Sequence, residues 1–512
     1  MFLGSCVSVD EELNSALEIT YGAIPKSLSG TLFRNGPGRF AVGPDAYSHL
    51  FDGDGLISSF RFSEGNVTYR NSYVKTSEYR RENSARRMLY RGFGSNIPGG
   101  LRKNAFRMHF KNAANTNIVA HAGHLYACWE GGWPHRIDAT TLETIDRYHF
   151  NDQLKNQGSV LDRWMNPQLP FSAHPKIDPT SGRMYNFGLA FGVENRLMIY
   201  EVCPLGQMSQ PRYLKLDQLS FIHDFVITSD SKAIFFATPV HFDLFAMLSG
   251  LSTPAEAMAG DASAPIQILV VDLKGPAGEI SWSTVEVFEA PHAFMFHHVN
   301  AFEEHGEIHV YSAEMDSFPN AQSAKAALRG DGINYPLTRL AHYVLTPGQK
   351  QATKKILPVR GFEMPRVADS RVGLPFTEFF TTGVSRESHF PLMDQIQKIS
   401  TDGQNLGSFT YTDGLVGEAV VASFASDART SPESGPESGS NSSPESSLSA
   451  MLLSVCYNHK KRKSELVILN ADTMELVARA LLPHSQPLGF HGNWVPRVPQ
   501  VASTDTSRAR FS

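Results

Sequence analysis

The sequence predicts a large, closed, mostly-β chain, and for one domain within 512 residues the economical architecture of this kind is a β-propeller. Three observations support this prediction. Short runs rich in β-branched and aromatic residues recur, turn-forming segments such as "DPTSGR" and "GPAGE" separate them, and few long segments have a helical period. No blade motif repeats sharply, so the residues themselves leave the number of blades open.

Seven runs are the clearest strand predictions. In chain order they are "HLYACW" (124–129), "RLMIYEV" (196–202), "AIFFATPV" (233–240), "QILVVDL" (267–273), "EIHVYSAEM" (307–315), "MLLSVCYN" (451–458) and "ELVILNAD" (465–472). Two segments have a more helical composition. We expect one or two helices in 241–260 and another in "NAQSAKAALRG" (320–330).

Residues 423–450 have a composition that buries too little apolar surface to fold by itself. Ser, Pro, Glu and Gly dominate this segment, and "SPES" repeats within it. It lies between two strand-like runs, so we expect a disordered insertion in a strand connection. The predicted organisation is therefore an N-terminal extension (1–25), one propeller domain (26–497) that contains this insertion, and a flexible tail (498–512).

The charge distribution excludes nucleic acid as a partner. The net charge is −5, from 46 basic and 51 acidic residues that are spread along the chain without a basic stripe. The segments "RNGPG" and "FDGDG" look like phosphate-binding loops, but they lack the strand–GxGxxG–helix or GK[ST] context. We expect tight turns between strands there and no nucleotide site.

The cysteines and the N-terminus indicate an intracellular protein. The four cysteines are far apart and form no CxxC pair, so we expect them to be reduced. The first residues lack the features of a signal peptide, and no apolar run reaches the length of a spanning helix. The expected location is the cytoplasm or a plastid, not the exterior.

Four of the 19 histidines share an unusual setting. His174, His223, the pair His297–His298 and His491 each lie in or beside an apolar, strand-like run. Any one alone is more simply a hydrogen-bonded core histidine, but their wide spacing suits strands that converge on one axis. Side chains alternate along a strand, so only one of the adjacent pair can face a common centre. Periodicity does not say which.

Ten motifs follow one another over nearly the whole chain. They are "GTLFRNGPGRF" (30–40), "HLFDGDGLISSFRF" (49–62), "NTN" (115–117), "WEGGWPHRID" (129–138), "SAHPKIDPTSGRMYNFG" (172–188), "FIHDFVIT" (221–228), "FHHVNAFEE" (296–304), "GEAVV" (417–421), "SELVILNA" (464–471) and "HGNW" (491–494). In these motifs and in their order the chain resembles the carotenoid cleavage oxygenases, particularly their apocarotenoid-cleaving branch.

This resemblance implies a seven-bladed β-propeller with a cap of loops and short helices over an iron axis. It implies one Fe(II) per chain, held by four histidines at the matching positions: His174, His223, His297 and His491. The family pattern His-x-x-Asn selects His297, which leaves a structural role for His298. O₂ is the implied co-substrate.

The resemblance also implies three glutamates behind three of the ligands. They match Glu130, Glu363 and Glu418, although "FEMPRV" around Glu363 departs from the usual "EFP". Carboxylates there accept Nδ1–H bonds and fix the ring tautomers, which offsets the charge that four neutral imidazoles leave on the metal. Thr116 of "NTN" matches a residue near the open iron positions.

The implied activity is oxidative cleavage of a conjugated C=C bond by O₂, which gives aldehyde or ketone products. Cleavage of apocarotenals at the 15,15′ bond, with retinal-type products, is the preferred hypothesis. The alternatives are cleavage at another bond of a full-length carotenoid, cleavage of a stilbene, or an inert carotenoid-binding propeller.

The implied partner is a hydrophobic polyene, a kind of molecule that partitions into membranes. A helix in 241–260 would present an apolar face with Phe242, Phe245 and Leu248. We expect this patch to make peripheral membrane contact near the tunnel mouth. The alternative is that the same face packs on the cap.

Overall fold

A computed structural model describes residues 7–107, 109–166, 168–191, 194–216, 220–229, 232–273, 285–319, 335–387, 390–425 and 448–497. Strands dominate these ranges. The first half of the chain contains β1 (Asn14–Ala16), β2 (Glu18–Gly22), β3 (Gly30–Arg39), β4 (Ala41–Val42), β5 (Asp45–Ala46), β6 (Asp54–Ser63), β7 (Asn66–Tyr73), β8 (Asn117–His121), β9 (His124–Cys128), β10 (His135–Ile137), β11 (Thr144–Arg147), β12 (Lys176–Ile177), β13 (Met184–Ala190), β14 (Asn195–Val202), β15 (Arg212–Leu216), β16 (Val226–Thr228), β17 (Lys232–Ala237), β18 (Val240–Phe242) and β19 (Met258–Gly260).

All seven predicted runs fall on strands, three of them in the first half of the chain and four in the second. The second half contains β20 (Ile266–Asp272), β21 (Val285–Ala290), β22 (Phe294–Glu304), β23 (Glu307–Met315), β24 (Arg339–Leu345), β25 (Thr353–Arg360), β26 (Phe362–Arg366), β27 (Glu378–Gly383), β28 (Gln395–Ser400), β29 (Asn405–Thr410), β30 (Gly414–Leu415), β31 (Val420–Ala425), β32 (Leu448–Asn458), β33 (Lys463–Asn470), β34 (Leu476–Leu481) and β35 (Gly492–Val495).

These strands form seven antiparallel blades, which confirms the propeller. Blade 1 is β35–β3–β6–β7–β1, and blades 2 and 3 are β8–β11 and β12–β15 in order. Blade 4 is β16–β17–β20–β21, and blades 5 and 6 are β22–β25 and β26–β29. Blade 7 contains β30 to β34 together with β2. Two small hairpins, β4–β5 and β18–β19, lie outside the blades.

Strands from both ends of the chain close the ring. β35 pairs with β3 in blade 1, and β2 pairs with β34 in blade 7. β1 pairs with β7 on the outer edge of blade 1. The prediction of an extension over 1–25 is therefore wrong for residues 14–22, because their backbone groups complete the sheets of two blades.

The core is divided among the interfaces between adjacent blades. Leu32 packs between blades 1 and 7, whereas the next residue, Phe33, packs between blades 1 and 2. Phe235 and Phe236 of β17 divide in the same way between the two neighbours of blade 4. Side chains alternate across a strand, so a strand with blades on both faces is apolar at successive positions.

The glycine-rich segment "RNGPG" was predicted to be a turn, and this is wrong. It lies inside the ten-residue strand β3. A Cβ atom at Gly36 would come within 2.5 Å of the Cα of Gly489, so glycine is needed there because another backbone passes close by. The other segment, "FDGDG", does begin in a short turn (50–52) before β6.

Short helices and loops form a cap over one face of the propeller. The helices are α1 (Ser77–Ala85), α2 (Leu101–Asn104), α3 (Val160–Met165), α4 (Leu244–Ser249) and α5 (Pro254–Ala257). Residues 241–260 thus hold the two predicted helices. Asp243 caps α4, and Thr253 with Glu256 forms a capping box on α5. Within the described ranges, no helix combines the length and the apolar character needed to cross a membrane.

The predicted insertion over 423–450 begins and ends inside strands. Ser423, Phe424 and Ala425 of β31 pair with Ala450, Ser449 and Leu448 of β32, so the prediction is wrong at both ends. The centre of the insertion, the tail (498–512) and the helix expected in 320–330 lie outside the described residues. The three described cysteines, Cys128, Cys203 and Cys456, are free.

The buried His135 of β10 leads to a prediction of pH-dependent stability. Burial lowers its pKa from 6.5 to about 4, and among the described residues its Nδ1 has no hydrogen-bond partner. Between these two pKa values the unfolded chain binds a proton that the native chain does not, so stability falls as the pH falls. We expect this residue to account for about 2–3 kcal/mol of the unfolding free energy lost between pH 7 and 4.5.

Urea unfolding at both pH values measures this loss. The variant His135→Gln keeps a polar side chain that does not titrate in this range, so its unfolding free energy should fall less than that of the wild type. Equal losses in the two proteins would contradict the assignment.

Candidate metal centre

Four histidines converge on the propeller axis beneath the cap. They are the four matching positions named above: His174, His223, His297 and His491. One ring nitrogen from each residue lies within 4.8 Å of the ring nitrogens of the other three. The Nε2 atoms of His174 and His223 are 3.0 Å apart, and those of His297 and His491 are 3.2 Å apart. No other group of three or more His, Cys, Asp or Glu side chains in the described part of the chain is similarly close.

Each histidine lies at or just before the start of the strand that stands first in the order given above for its blade. His174 and His223 precede β12 and β16, His297 lies near the start of β22, and His491 immediately precedes β35. Backbone contacts fix the loops that carry them. The His174 N–H donates to Ser172 Oγ at 3.1 Å, and the His491 N–H donates to the Thr116 carbonyl at 3.1 Å.

A β-bulge separates the adjacent histidines. The register of β22 against β23 shifts between Met295 and His298 and again before Asn300. The ring of His297 reaches the cluster, whereas His298 turns away. Its Nδ1 lies 2.7 Å from Ser312 Oγ, and its ring packs 4.7 Å from Phe236 of the neighbouring blade. The two rings thus face different directions, as strand alternation predicts.

The three predicted glutamates lie behind three of the rings. Glu130 pairs with Nδ1 of His223. Glu363 Oε2 lies 2.7 Å from Nδ1 of His297, and Glu418 Oε1 lies 2.9 Å from Nδ1 of His491. Glu363 and Glu418 accept the Nδ1–H bond of their histidine, which leaves the Nε2 lone pair of that ring pointing towards the centre.

Glu418 belongs to a buried ion pair that sequence reasoning missed. Arg34 of β3, only 1% exposed, pairs with Glu418 Oε2 and also donates to the Phe490 carbonyl at 3.2 Å. Arg366 lies 3.5 Å from the other oxygen, and the Gly492 N–H donates to Oε2. These cations and His491 hold the pKa of Glu418 far below its ordinary value, although burial opposes this shift.

The fourth histidine, His174, has a different neighbour. Its Nδ1 lies 3.9 Å from Oδ1 of Asp224, which is beyond hydrogen-bond distance. Asp224 is 4% exposed and pairs with Lys176 Nζ at 2.7 Å. Burial opposes ionisation, but Lys176 and the neighbouring histidines lower the pKa of Asp224 to about 2. The sequence signal was the acid directly after His223 in "FIHDF".

The ring pKa values do not simply follow the presence of a glutamate behind the ring. Burial and the other three histidines hold the pKa of His174 well below its ordinary value. Burial also lowers the pKa of His491 to about 4, even though Glu418 acts in the opposite direction. For His297, burial is outweighed by the charge and hydrogen bond of Glu363, and the pKa is raised.

The cluster fits a bound metal ion. Neutral rings whose Nδ1–H groups donate to carboxylates have only lone pairs to present at Nε2, and facing lone pairs repel unless a cation lies between them. Metal–imidazole bonds of about 2.1 Å place adjacent donors about 3.0 Å apart, which matches both Nε2 separations. Four imidazoles suit a first-row transition metal rather than Ca²⁺ or Mg²⁺.

A cavity of about 730 Å³ opens onto this centre. Three of the histidines, His223, His297 and His491, lie in its wall beside Thr116. Most of the remaining wall is aromatic or aliphatic, and includes Phe51, Phe93, Phe221, Phe296, Phe318 and Phe490. The half-buried Thr116 donates through Oγ1 to Asn115 at 3.1 Å. The site is therefore a cluster of metal-binding side chains in the wall of an apolar cavity.

A seven-bladed propeller with four axial histidines and carboxylates behind them defines a class of non-haem metalloproteins. The family model described as "Retinal pigment epithelial membrane protein" matches residues 6–496. The chain therefore belongs to this family, the carotenoid oxygenases.

Individual relatives resemble the chain over its length. It is 31% identical to apocarotenoid-15,15′-oxygenase of Synechocystis sp. over 499 residues, covering 95% of this chain and 94% of the relative. It is 29% identical to resveratrol cleavage oxygenase 1 of Aspergillus fumigatus, covering 94% and 92%. The crystal structure of cobalt-substituted Synechocystis apocarotenoid oxygenase (ACO) superimposes with a TM-score of 0.83 at 29% identity, covering 96% of this chain and 98% of the other.

Proposed function

We propose that this protein is an Fe(II)-dependent dioxygenase that cleaves one conjugated C=C bond of an apocarotenoid. The observation that carries the proposal is the convergence of His174, His223, His297 and His491 at an apolar cavity whose wall includes three of them. Family membership and 31% identity to an apocarotenoid-15,15′-oxygenase support the reaction type and substrate class. The preferred substrates are apocarotenals cleaved at the 15,15′ bond.

The reaction needs no acid or base from the protein. One C=C bond and the O–O bond break, and two C=O bonds form, so both oxygen atoms end in the two carbonyl products. Iron(II), held by the four histidines, would supply the redox chemistry with O₂. The chain's own residues position the ring donors and keep water away from the polyene.

Orientation of the rings is the task of the glutamates. Glu363 and Glu418 accept from Nδ1 and so fix the tautomer and direction of His297 and His491, and Glu130 pairs with Nδ1 of His223. The apolar wall gives a long polyene contact surface without polar competitors. Thr116 is proposed to border the space where the substrate bond and O₂ meet, because it lines the cavity and its carbonyl holds the His491 backbone.

Absorption spectroscopy with product identification tests this function. The visible polyene band of an apocarotenal should bleach only when Fe(II) and O₂ are both present, with two carbonyl products of the expected masses. A panel of apocarotenals, β-carotene and resveratrol separates the substrate classes. Cleavage of resveratrol alone would overturn the substrate assignment, and an unchanged polyene with iron-loaded protein would overturn the reaction.

Peripheral membrane contact is the second part of the proposal. Phe245 of α4 is 79% exposed, and Phe106, Leu244 and Leu251 beside it are also exposed. The Phe106 N–H donates to the Leu248 carbonyl, which joins the two segments of this apolar patch. Leu248, predicted in the patch, is half-buried, and Phe242 lies in β18 with its side chain outside the described residues. Leu244 also lines the cavity, so the patch borders the route to the site.

Replacing Phe245 and Phe106 with serine should weaken binding to phosphatidylcholine vesicles at least tenfold. Burial of a phenylalanine side chain contributes about 1.5–3 kcal/mol, and about 1.4 kcal/mol corresponds to a factor of ten. Co-sedimentation with vesicles measures the effect. The control Leu205→Ser changes an 83% exposed residue in the β14–β15 turn, on the opposite face of the propeller, and should bind as the wild type does. Equal binding by all three proteins would refute membrane contact through this patch.

A further inference from the structure

The segments that carry three of the histidines meet at one buried carboxylate, Asp224. Its Oδ1 accepts from the Phe225 N–H at 2.8 Å and from Lys176 Nζ at 2.7 Å. Its Oδ2 accepts from the His298 N–H at 3.1 Å. These contacts join segments 174–176, 223–225 and 297–298, which belong to three consecutive blades.

The contact with His298 falls at the β22 bulge. The register of β22 against β23 shifts on both sides of His298, so this residue lies where regular pairing is interrupted. Bulges re-aim side chains, and the ring of His297 projects from this interrupted stretch of the strand. The Asp224 acceptor fixes the N–H of the residue directly after His297, and with it the backbone from which that ring projects.

The contact with Lys176 acts on the other side. Lys176 begins β12, two residues after His174, and its side chain is 21% exposed. Among the residues that the structure describes, no glutamate lies behind the His174 ring in the way that Glu130, Glu363 and Glu418 lie behind the other three. The ring is held instead by its own loop, whose two ends are tied through Ser172 and through the Lys176–Asp224 ion pair.

From these contacts we infer that Asp224 is a positioning residue for the metal centre, acting on His297 through the bulge and on His174 through Lys176. The inference rests on the proposed function, since it assigns a role towards the bound metal. Asp224 differs from the three glutamates because it orients the backbone segments and makes no hydrogen bond to a ligand ring.

Cobalt(II) binding to the metal-free protein tests this inference independently of catalysis. Asp224→Asn keeps the shape of the side chain but replaces one acceptor with an NH₂ donor, so at least one of the three donors is left facing another donor. We expect about a 10- to 100-fold loss of cobalt affinity and a changed visible absorption spectrum of the cobalt complex. The thermal midpoint of the metal-free protein reports any general loss of stability separately.

Two further variants complete the test. Asp146→Asn removes a carboxylate from a partly exposed pair with Arg136 and should bind cobalt as the wild type does. Lys176→Met keeps Asp224 and its two N–H contacts but cuts the link to the His174 loop, so its cobalt affinity should fall severalfold. It also tests the inference if Asp224→Asn does not fold.

The outcomes separate the inference from the function. If Asp224→Asn folds and has the cobalt affinity and spectrum of the wild type, the role of Asp224 is overturned. If Asp224→Asn does not fold, unchanged cobalt affinity in Lys176→Met overturns that role. Both results would leave the proposed function intact. A wild-type protein that took up no cobalt or iron would overturn both.

Discussion

The variant His297→Ala is expected to lose iron and activity together. Removing this ring leaves three imidazole donors in the centre and takes away the histidine partner of the Glu363 carboxylate. We expect iron affinity to fall by more than about 100-fold, beyond the loss typical for a residue that only orients a ligand. Iron content after dialysis and the rate of polyene bleaching measure the two effects.

The adjacent residue provides the matched control. His298→Ala removes a ring that contacts Ser312 and Phe236 but lies outside the cluster. Its iron content should stay near that of the wild type, while its unfolding free energy falls by about 1–3 kcal/mol from the lost hydrogen bond and the cavity. Normal iron binding by His297→Ala, with loss in His298→Ala, would reverse the assignment.

The variant Arg34→Met should produce the largest loss of stability. It removes one partner of a fully buried ion pair and leaves the Glu418 charge with Arg366 at 3.5 Å as its remaining cation. Breaking a buried pair in this way costs about 3–5 kcal/mol of unfolding free energy. Urea unfolding of the metal-free protein isolates this loss from any contribution of the metal.

A surface pair gives the comparison. Arg136→Met breaks a partly exposed pair with Asp146 and should cost at most about 1 kcal/mol. The double variant Arg34→Met with Glu418→Gln no longer buries an unpaired charge, so it should be more stable than Arg34→Met alone. A loss in Arg34→Met no larger than that in Arg136→Met would show that Arg366 alone compensates Glu418.

The seven strand runs were predictable from sequence because they belong to strands that are mostly buried on both faces. Successive apolar residues such as Phe235 and Phe236 pack into different inter-blade cores, and this produces the continuous runs that mark strands. The number of blades came only from the resemblance, since no repeated motif marks a blade. The segment "RNGPG" of β3 was mistaken for a turn because its Gly36 is required by the close approach of the backbone at Gly489. Local sequence does not reveal such an approach.

The site was predictable to the extent that its chemistry is local. The histidines stand out beside aromatic runs, and alternation correctly separates the directions of His297 and His298. Arg34 and Asp224 escaped notice because their partners lie far away along the chain: Arg34 and Glu418 are 384 residues apart. Pairings of this kind arise only when the ring of blades brings the segments together.

The strand that closes blade 1, β35, follows directly after the last of the four histidines to be synthesised. His174, His223 and His297 belong to consecutive blades and can assemble as soon as those blades have docked. His491 arrives only when β35 joins β3, the last pairing to become available as the chain is synthesised. In a nascent chain the segments that carry His174, His223 and His297 therefore exist before the segment that carries His491, so the four-nitrogen centre is completed only when the ring of blades closes.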